Sequence, residues 1–387
     1  LPVFPRRESL PSLADHQGSL HLDRLDVHHG SKRHLRPIRR LDGDLGEGWR
    51  FIPGPHFAQP GRKVRQRDSE GGEPCEIDGT LPGSALETWG GAGGVSFVGE
   101  RGFVGLAISR YESDYGLPGG HGHEEGEEEE EEGNPVVDLQ QTRYDFEAGL
   151  EDPIPGFSSL NLRAVYNDYR HEEIEPDGEV ATRFDNEAWD VRLEMSHKQA
   201  LGMEGALGLQ YTDKDFSAVG EEAFIEPVET ALIAAFWVGE RSFSGFDLET
   251  GLRIESVEHK TDNFRDRDFT LFSTSLGFVI PMGDGWDLGL QGDYSQRAPI
   301  PEELYSNGAH LATQAFEVGD PNLDKEQAWN ASATLTYAGE AFRLGASAYY
   351  TSFSDYIYEF FTGDEEDGLP ELQFAQQDAD YFGIEVG

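Results

Sequence analysis

With 387 residues, a net charge of −44 and a pI near 4.4, the chain repels nucleic acid and anionic surfaces instead of binding them. Its one cysteine, Cys75, excludes an internal disulfide framework and any cysteine-rich zinc or iron–sulfur site. No run reaches the ~20 consecutive apolar residues of a transmembrane helix, and no signal-peptide pattern opens the chain, so the N-terminus reads as missing or wrong.

The first 85 residues differ in character from the rest of the chain. Residues 1–68 are rich in Arg, His and Pro, as in His28-His-Gly-Ser-Lys-Arg-His-Leu-Arg-Pro-Ile-Arg-Arg40, and poor in acidic residues and alternation. The segment reads as disordered or mistranslated, a basic interaction arm being the other reading. From Leu86 to Gly387 the chain becomes a series of alternating stretches. We place about thirteen strands near 87–98, 102–114, 137–150, 160–174, 181–196, 204–215, 228–239, 246–258, 268–280, 286–296, 326–338, 342–355 and 378–387. Phe246-Asp-Leu-Glu-Thr-Gly-Leu-Arg-Ile254 shows the pattern: Phe246, Leu248, Thr250, Leu252 and Ile254 share one face, and the more polar Asp247, Glu249 and Arg253 take the other.

The connections between strands alternate in length. Those at 99–101, 152–159, 198–203, 239–245, 281–285 and 338–341 are short. Those at 116–136, 175–180, 216–227, 259–267, 297–325 and 356–377 are mostly longer and polar. Long polar loops are uncommon in a compact soluble domain, whereas short turns on one rim and long loops on the other are what a membrane-spanning antiparallel β-barrel needs. A soluble β-sandwich is the alternative. The last strand stops in mid-pattern at Tyr381-Phe-Gly-Ile-Glu-Val-Gly387, so the expectation is an incomplete barrel over 86–387 preceded by the atypical 1–85. The aromatics Tyr115, Trp189, Trp237, Trp286, Tyr294, Trp329 and Tyr356 suit interfacial girdles, and equally the ordinary β-propensity of aromatics.

Metal-ligand chemistry is suggested in three places. His121-Gly-His123 abuts the acidic run Glu124–Glu132 in the first long loop, where imidazoles suit Zn²⁺ and carboxylates add charge. The bland reading of such a run is a solvated acidic loop. In His171-Glu-Glu-Ile-Glu175 the strand period puts His171 and Glu173 on one face. If Leu160, Leu162 and Ala164 face lipid, that pair faces the lumen near its outer end. His310 stands in the long loop 297–325, whose prolines suggest that it folds into the mouth. No nucleophile–base arrangement, phosphate loop, dinucleotide fingerprint or His-Glu-x-x-His helix is present, so no enzyme and no catalytic cofactor is expected.

The segment Gln296-Arg-Ala-Pro-Ile-Pro-Glu-Glu-Leu-Tyr-Ser-Asn-Gly-Ala-His-Leu-Ala-Thr313, followed by Phe316-Glu-Val-Gly-Asp-Pro-Asn-Leu-Asp-Lys-Glu326, resembles the late barrel of TonB-dependent outer-membrane receptors. The insert Asn307-Gly-Ala-His-Leu-Ala-Thr313, with Tyr111-Glu-Ser-Asp-Tyr-Gly-Leu-Pro-Gly-Gly-His121 and Gly220-Glu-Glu-Ala-Phe224, resembles the zinc-uptake branch. The resemblance covers about residues 86–387. It implies an outer-membrane location, a TonB energy-coupling complex as partner, and zinc as the transported ligand, with His310 as the barrel histidine of the metal site. The same resemblance implies an Asp-His pair from a plug domain, and no plug is recognisable in this sequence. A ferric siderophore or haem is the alternative cargo. Outside transport, the alternative is a secreted acidic adhesin-like protein binding calcium or glycans.

Overall fold

The computed structural model describes residues 48–53, 83–117, 134–200, 202–220, 223–310, 313, 315–339, 342–366 and 368–387. Their strands form one sheet: β1 (Gly48–Pro53), β2 (Leu86–Gly99), β3 (Gly102–Gly116), β4 (Val136–Glu151), β5 (Phe157–Ile174), β6 (Val180–Ala200), β7 (Met203–Gly220), β8 (Val228–Ser242), β9 (Asp247–Thr261), β10 (Arg267–Gly283) and β11 (Trp286–Arg297) pair in chain order. The chain then makes a short helix α1 (Pro301–Tyr305) and a small hairpin, β12 (Asn307–His310) and β13 (Ala315–Val318). It returns to the sheet as β14 (Glu326–Ala338), β15 (Arg343–Glu366) and β16 (Leu369–Val386). All pairings are antiparallel except β13 with β16, which run parallel from Phe316↔Glu371 to Val318↔Gln373.

The two faces of the sheet differ as alternation requires. One row runs Leu290, Ala333, Ala348, Ile384 and the next Leu288, Leu335, Ala346, Val386, each residue opposite the last across the ladders. This face leaves large apolar side chains exposed, Leu106 at 58%, Ile233 at 61% and Trp329 at 64% among them. In water such a surface would be an aggregation hazard. Against lipid it is the required one. Trp286, Tyr337 and Phe342 cluster at its short-turn rim, with ring centroids 4.9 and 5.1 Å apart. Tyr294 and Trp329 pair toward the long-loop rim at 4.6 Å. Trp286 and Tyr294 are eight residues apart, about 26 Å along a strand and about 20 Å once the strand tilts as barrel strands do. That is close to the ~25 Å apolar band of a spanning barrel. The opposite, inner face carries paired charges such as Arg143–Asp145, Arg163–Glu147 and Arg192–Glu194.

The buried apolar cluster sits at one end of the inner face. Phe184, Phe216, Val257, Phe269 and Leu271 of the inner wall pack with Leu304, Tyr305 and Leu323 of the segment between β11 and β14. That segment is therefore folded inward, as its prolines suggested. It is held by side chains of the wall. His259 bonds the Pro299 carbonyl through Nε2 at 3.1 Å, and Arg267 donates to the carbonyls of Pro321 and Leu323. Arg297 donates to Glu303 at 2.9 Å and Glu326 at 3.3 Å, while Glu303 accepts from the Ile300 amide at the start of α1. Alanine at Arg267 leaves two inward carbonyls without their donor, worth about 1–3 kcal/mol each. Proteolysis within 297–325 of the Arg267→Ala protein should run at least ~10-fold faster than in the parent.

Several sequence-based expectations need correction. Residues 356–377 are not a loop: β15 and β16 pair on from Tyr356↔Gln377 to Glu366↔Leu369, with bulges at 353/356 and 361/365. The amide group of Gln376 bonds to Asp324 and Asp355, fixing this extension at its base. Tyr115 and Tyr356 do not join the outer girdle. Tyr115 lies opposite Val137, itself opposite Glu173, and so shares the inner face. The bulge beside Tyr356 directs it toward the inner-face residues Phe353 and Tyr381.

Candidate functional site

His171 and Glu173 project from β5 beyond the Tyr144–Tyr166–Trp189 aromatic row, outside the apolar band. Both are buried, at 4% and 5% exposure. They share the inner face with Tyr169, whose hydroxyl forms a 3.0 Å hydrogen bond with His171 Nδ1. Across the ladder His171 lies opposite Phe184, and the two rings stack at 4.3 Å. Phe184 meets Phe224 at 6.1 Å, and Phe224 stacks on His310 at 4.1 Å. The two histidines therefore cap the ends of a four-ring array. Burial, with His310 adding to it, holds His171 down to about 4, so its ring is neutral at physiological pH.

His310 is placed by the β12–β13 hairpin. It pairs with Ala315, and Glu317 sits two residues further along on the same face. Glu317 Oε1 is 2.8 Å from His310 Nδ1 and also accepts from Thr313 Oγ1 at 2.8 Å. A carboxylate only accepts, so Nδ1 carries the proton. The other nitrogen, Nε2, is buried and has no hydrogen-bond partner among the described residues. In its neutral form the ring offers a lone pair there, with the proton kept on Nδ1 by the carboxylate, as in the carboxylate–histidine arrangement that orients metal ligands. Gly308 is what allows the close approach: a Cβ on it would stand 2.8 Å from Phe224 Cα. The Asn307 amide donates to the Phe224 carbonyl at 2.7 Å beside it.

Glu359, from the extended part of β15, faces the same cluster. Burial first, then the charges of Glu317 and Glu303, push its carboxyl up, with His310 opposing. Among the described residues no three His, Cys, Asp or Glu side chains stand together as a ready-made metal site. His121 and His123, with the acidic run after them, lie outside the described residues. Glu317, Thr313, Phe224 and Glu359 were not singled out in the sequence. The pairing of His310 with Ala315 puts Glu317 and His310 on one face, a relation that exists only in the folded hairpin.

The sequence matches the family described as TonB dependent receptor-like, beta-barrel over residues 85–387. The chain belongs to that family. Its fold is accordingly the antiparallel outer-membrane β-barrel of these receptors, and the soluble sandwich is set aside. The family consists of transporters and receptors, not enzymes. Among solved structures, the chain is similar to the Serratia marcescens haemophore receptor HasR, at 12% identity and TM-score 0.62, covering 79% of this chain and 54% of that one. The copper transporter OprC gives 15% and 0.64, covering 80% and 51%. The FrpB iron transporter of Neisseria meningitidis gives 12% and 0.63, covering 88% and 56%. The chain spans about half the length of these receptors. They handle haem, copper and iron, so family membership alone does not choose a cargo.

Proposed function

We propose that this barrel works in a TonB-dependent receptor that takes up a divalent metal, with zinc as its cargo and the TonB complex as its energy source. The observation that carries this reading is the buried Nε2 of His310, without a hydrogen-bond partner among the described residues, on a ring whose Nδ1 is engaged by Glu317. A lone pair in such a place calls for a Lewis acid or a proton donor, and imidazole nitrogen suits Zn²⁺. His171 and Glu173 line the same inner end, on the far side of the Phe184–Phe224 pair. Zinc takes about four ligands, so the His310 hairpin supplies part of the set. The rest comes from other parts of the whole receptor or from water.

A metal chelate, a ferric siderophore or haem, is the second reading. It is favoured by the aromatic array and by the arginines of the inner wall, Arg143, Arg163, Arg192 and Arg253. Calorimetric titration of the receptor, purified from outer membranes in detergent, separates the two. Zinc is expected to bind with sub-micromolar affinity, and ferric chelates and haem are expected to show no heat. Chelate binding without zinc binding would transfer the function to the second reading.

A further inference from the structure

We infer that Thr182 and Asn186 bind the water shell of the cargo, so that the receptor takes a divalent cation that keeps part of its hydration. This rests on the metal reading above and names the form in which the metal is held. Among the described residues, four buried side-chain atoms have no hydrogen-bond partner: Thr182 Oγ1, Asn186 Oδ1, Thr261 Oγ1 and His310 Nε2. Three of them belong to one aromatic array. His310 stacks on Phe224, which meets Phe184. Thr182 and Asn186 stand two residues to either side of Phe184 on β6, and so on the same face as its ring. Buried polar groups without partners are rare because each one costs stability, so their concentration at this array needs a reason. The register gives their surroundings. Thr182, fully buried, lies opposite Glu173 on one side and Gly220 on the other. Asn186 lies opposite Tyr169 and Phe216, and the Tyr169 hydroxyl bonds to His171.

The three atoms ask for different partners. His310 Nε2 offers its lone pair to the ion itself. The Asn186 carbonyl oxygen only accepts, and the Thr182 hydroxyl accepts as readily as it donates. A water bound to a divalent cation suits both oxygens, because the ion draws charge from it and makes it a stronger donor than free water. Such a water stands about 2 Å from the ion and reaches an acceptor about 2.8 Å further on. A hydrated ion therefore touches the wall through its waters as well as through a direct ligand. The rings of Phe184 and Phe224 between these polar atoms supply no ligand, and in such a dry wall each hydrogen bond that is made counts for more. A chelate that fills the metal's positions with its own oxygens or nitrogens has no metal-bound water to give. It would leave Thr182 and Asn186 without partners, so the pair selects for the hydrated ion.

The test is calorimetric titration of zinc chloride into the receptor purified from outer membranes in detergent, with thermal unfolding of the metal-free protein alongside. Thr182→Val keeps the shape of the side chain and removes the hydroxyl. Zinc affinity is expected to fall by about tenfold. The metal-free unfolding midpoint should stay level or rise, because no hydrogen bond is lost there. Thr182→Ser, which keeps a hydroxyl, should restore most of the affinity. Asn186→Leu should weaken zinc several-fold. Thr261→Val removes the fourth unpartnered group, opposite Val228 on β9, and should leave zinc binding unchanged. A lower metal-free midpoint in Thr182→Val would mean that the hydroxyl holds the fold. Parental zinc affinity in both Thr182→Val and Asn186→Leu would mean that neither touches the water shell. Either result overturns the inference and leaves zinc as the cargo. A parent that binds no zinc overturns the metal reading itself, and this inference with it.

Discussion

The His310→Ala receptor is expected to lose tight zinc binding, and Glu317→Gln to weaken it by about 10–100-fold, the usual cost of removing the outer partner of a metal-bound histidine. The two variants differ in a useful way. His310→Ala deletes the unpartnered Nε2 itself. Glu317→Gln keeps an oxygen that can accept from Nδ1 and from Thr313 Oγ1, so the ring stays in place and only the negative charge behind it is lost. Loss in the first and partial loss in the second, measured by calorimetry at fixed pH, would show that the charge tunes a ligand. Equal losses would mean that Glu317 serves only to hold the hairpin. Zinc binding by His310→Ala at the parent's affinity would remove the metal site from this hairpin altogether.

The segment 297–325 is expected to loosen as the pH falls from about 6.5 toward about 4. His259 lies at the loop end of β9, opposite Arg267 and outside the apolar band. Its Nε2–H donates to the Pro299 carbonyl, so in the neutral ring Nδ1 accepts from Thr230 Oγ1 at 2.9 Å. Burial holds it down to about 4; the Pro299 bond opposes this, and the positive charges of Lys214 and Arg267 add to it. The sign comes from comparing the two states. The ring is neutral in the folded mouth and titrates near 6.5 when released, so the released state binds the extra proton between these values. Stability from the neutral ring is therefore present above about pH 6.5 and is lost as pH falls toward 4. The full shift corresponds to on the order of 3 kcal/mol. Protection factors of the 297–325 amides, which remove the intrinsic pH dependence of exchange, should fall across this window in the parent. In His259→Gln, which keeps an N–H donor but does not titrate, the fall should be much smaller. A fall of equal size in parent and variant would show that His259 does not govern the segment.

Legibility in the sequence tracks the constraints that water and lipid impose. The strands from 86 to 355 were legible because each must alternate once to satisfy an apolar outside and a polar inside, and β14 begins and ends at the residues expected. The outer parts of β15 and β16 were not, because Thr362-Gly-Asp-Glu-Glu-Asp-Gly-Leu-Pro370 has the composition of a loop, and the described ends of both strands lie beyond the band that enforces alternation. The β12–β13 hairpin was hidden for a related reason. Its four-residue strands are too short for a period, and their pairing is settled by contacts with Phe224 and β16 far away in sequence. His171 and Glu173 were readable by strand parity alone. Glu317 was not, since its relation to His310 exists only once the hairpin has formed. Tyr115 and Tyr356 show the limit of reading aromatics by position along a strand, because parity and a bulge decide which side they take.

The parallel seam between β13 and β16 gives the hairpin a preferred direction of yielding. Three consecutive residues of each strand are joined, and the strands run alongside one another. A pull along the strands loads the whole seam at once, in shear, whereas a sideways displacement peels it open one contact at a time. His310 is thereby stiff against being drawn along the barrel wall and compliant against swinging away from it, as a hinge is about its pin.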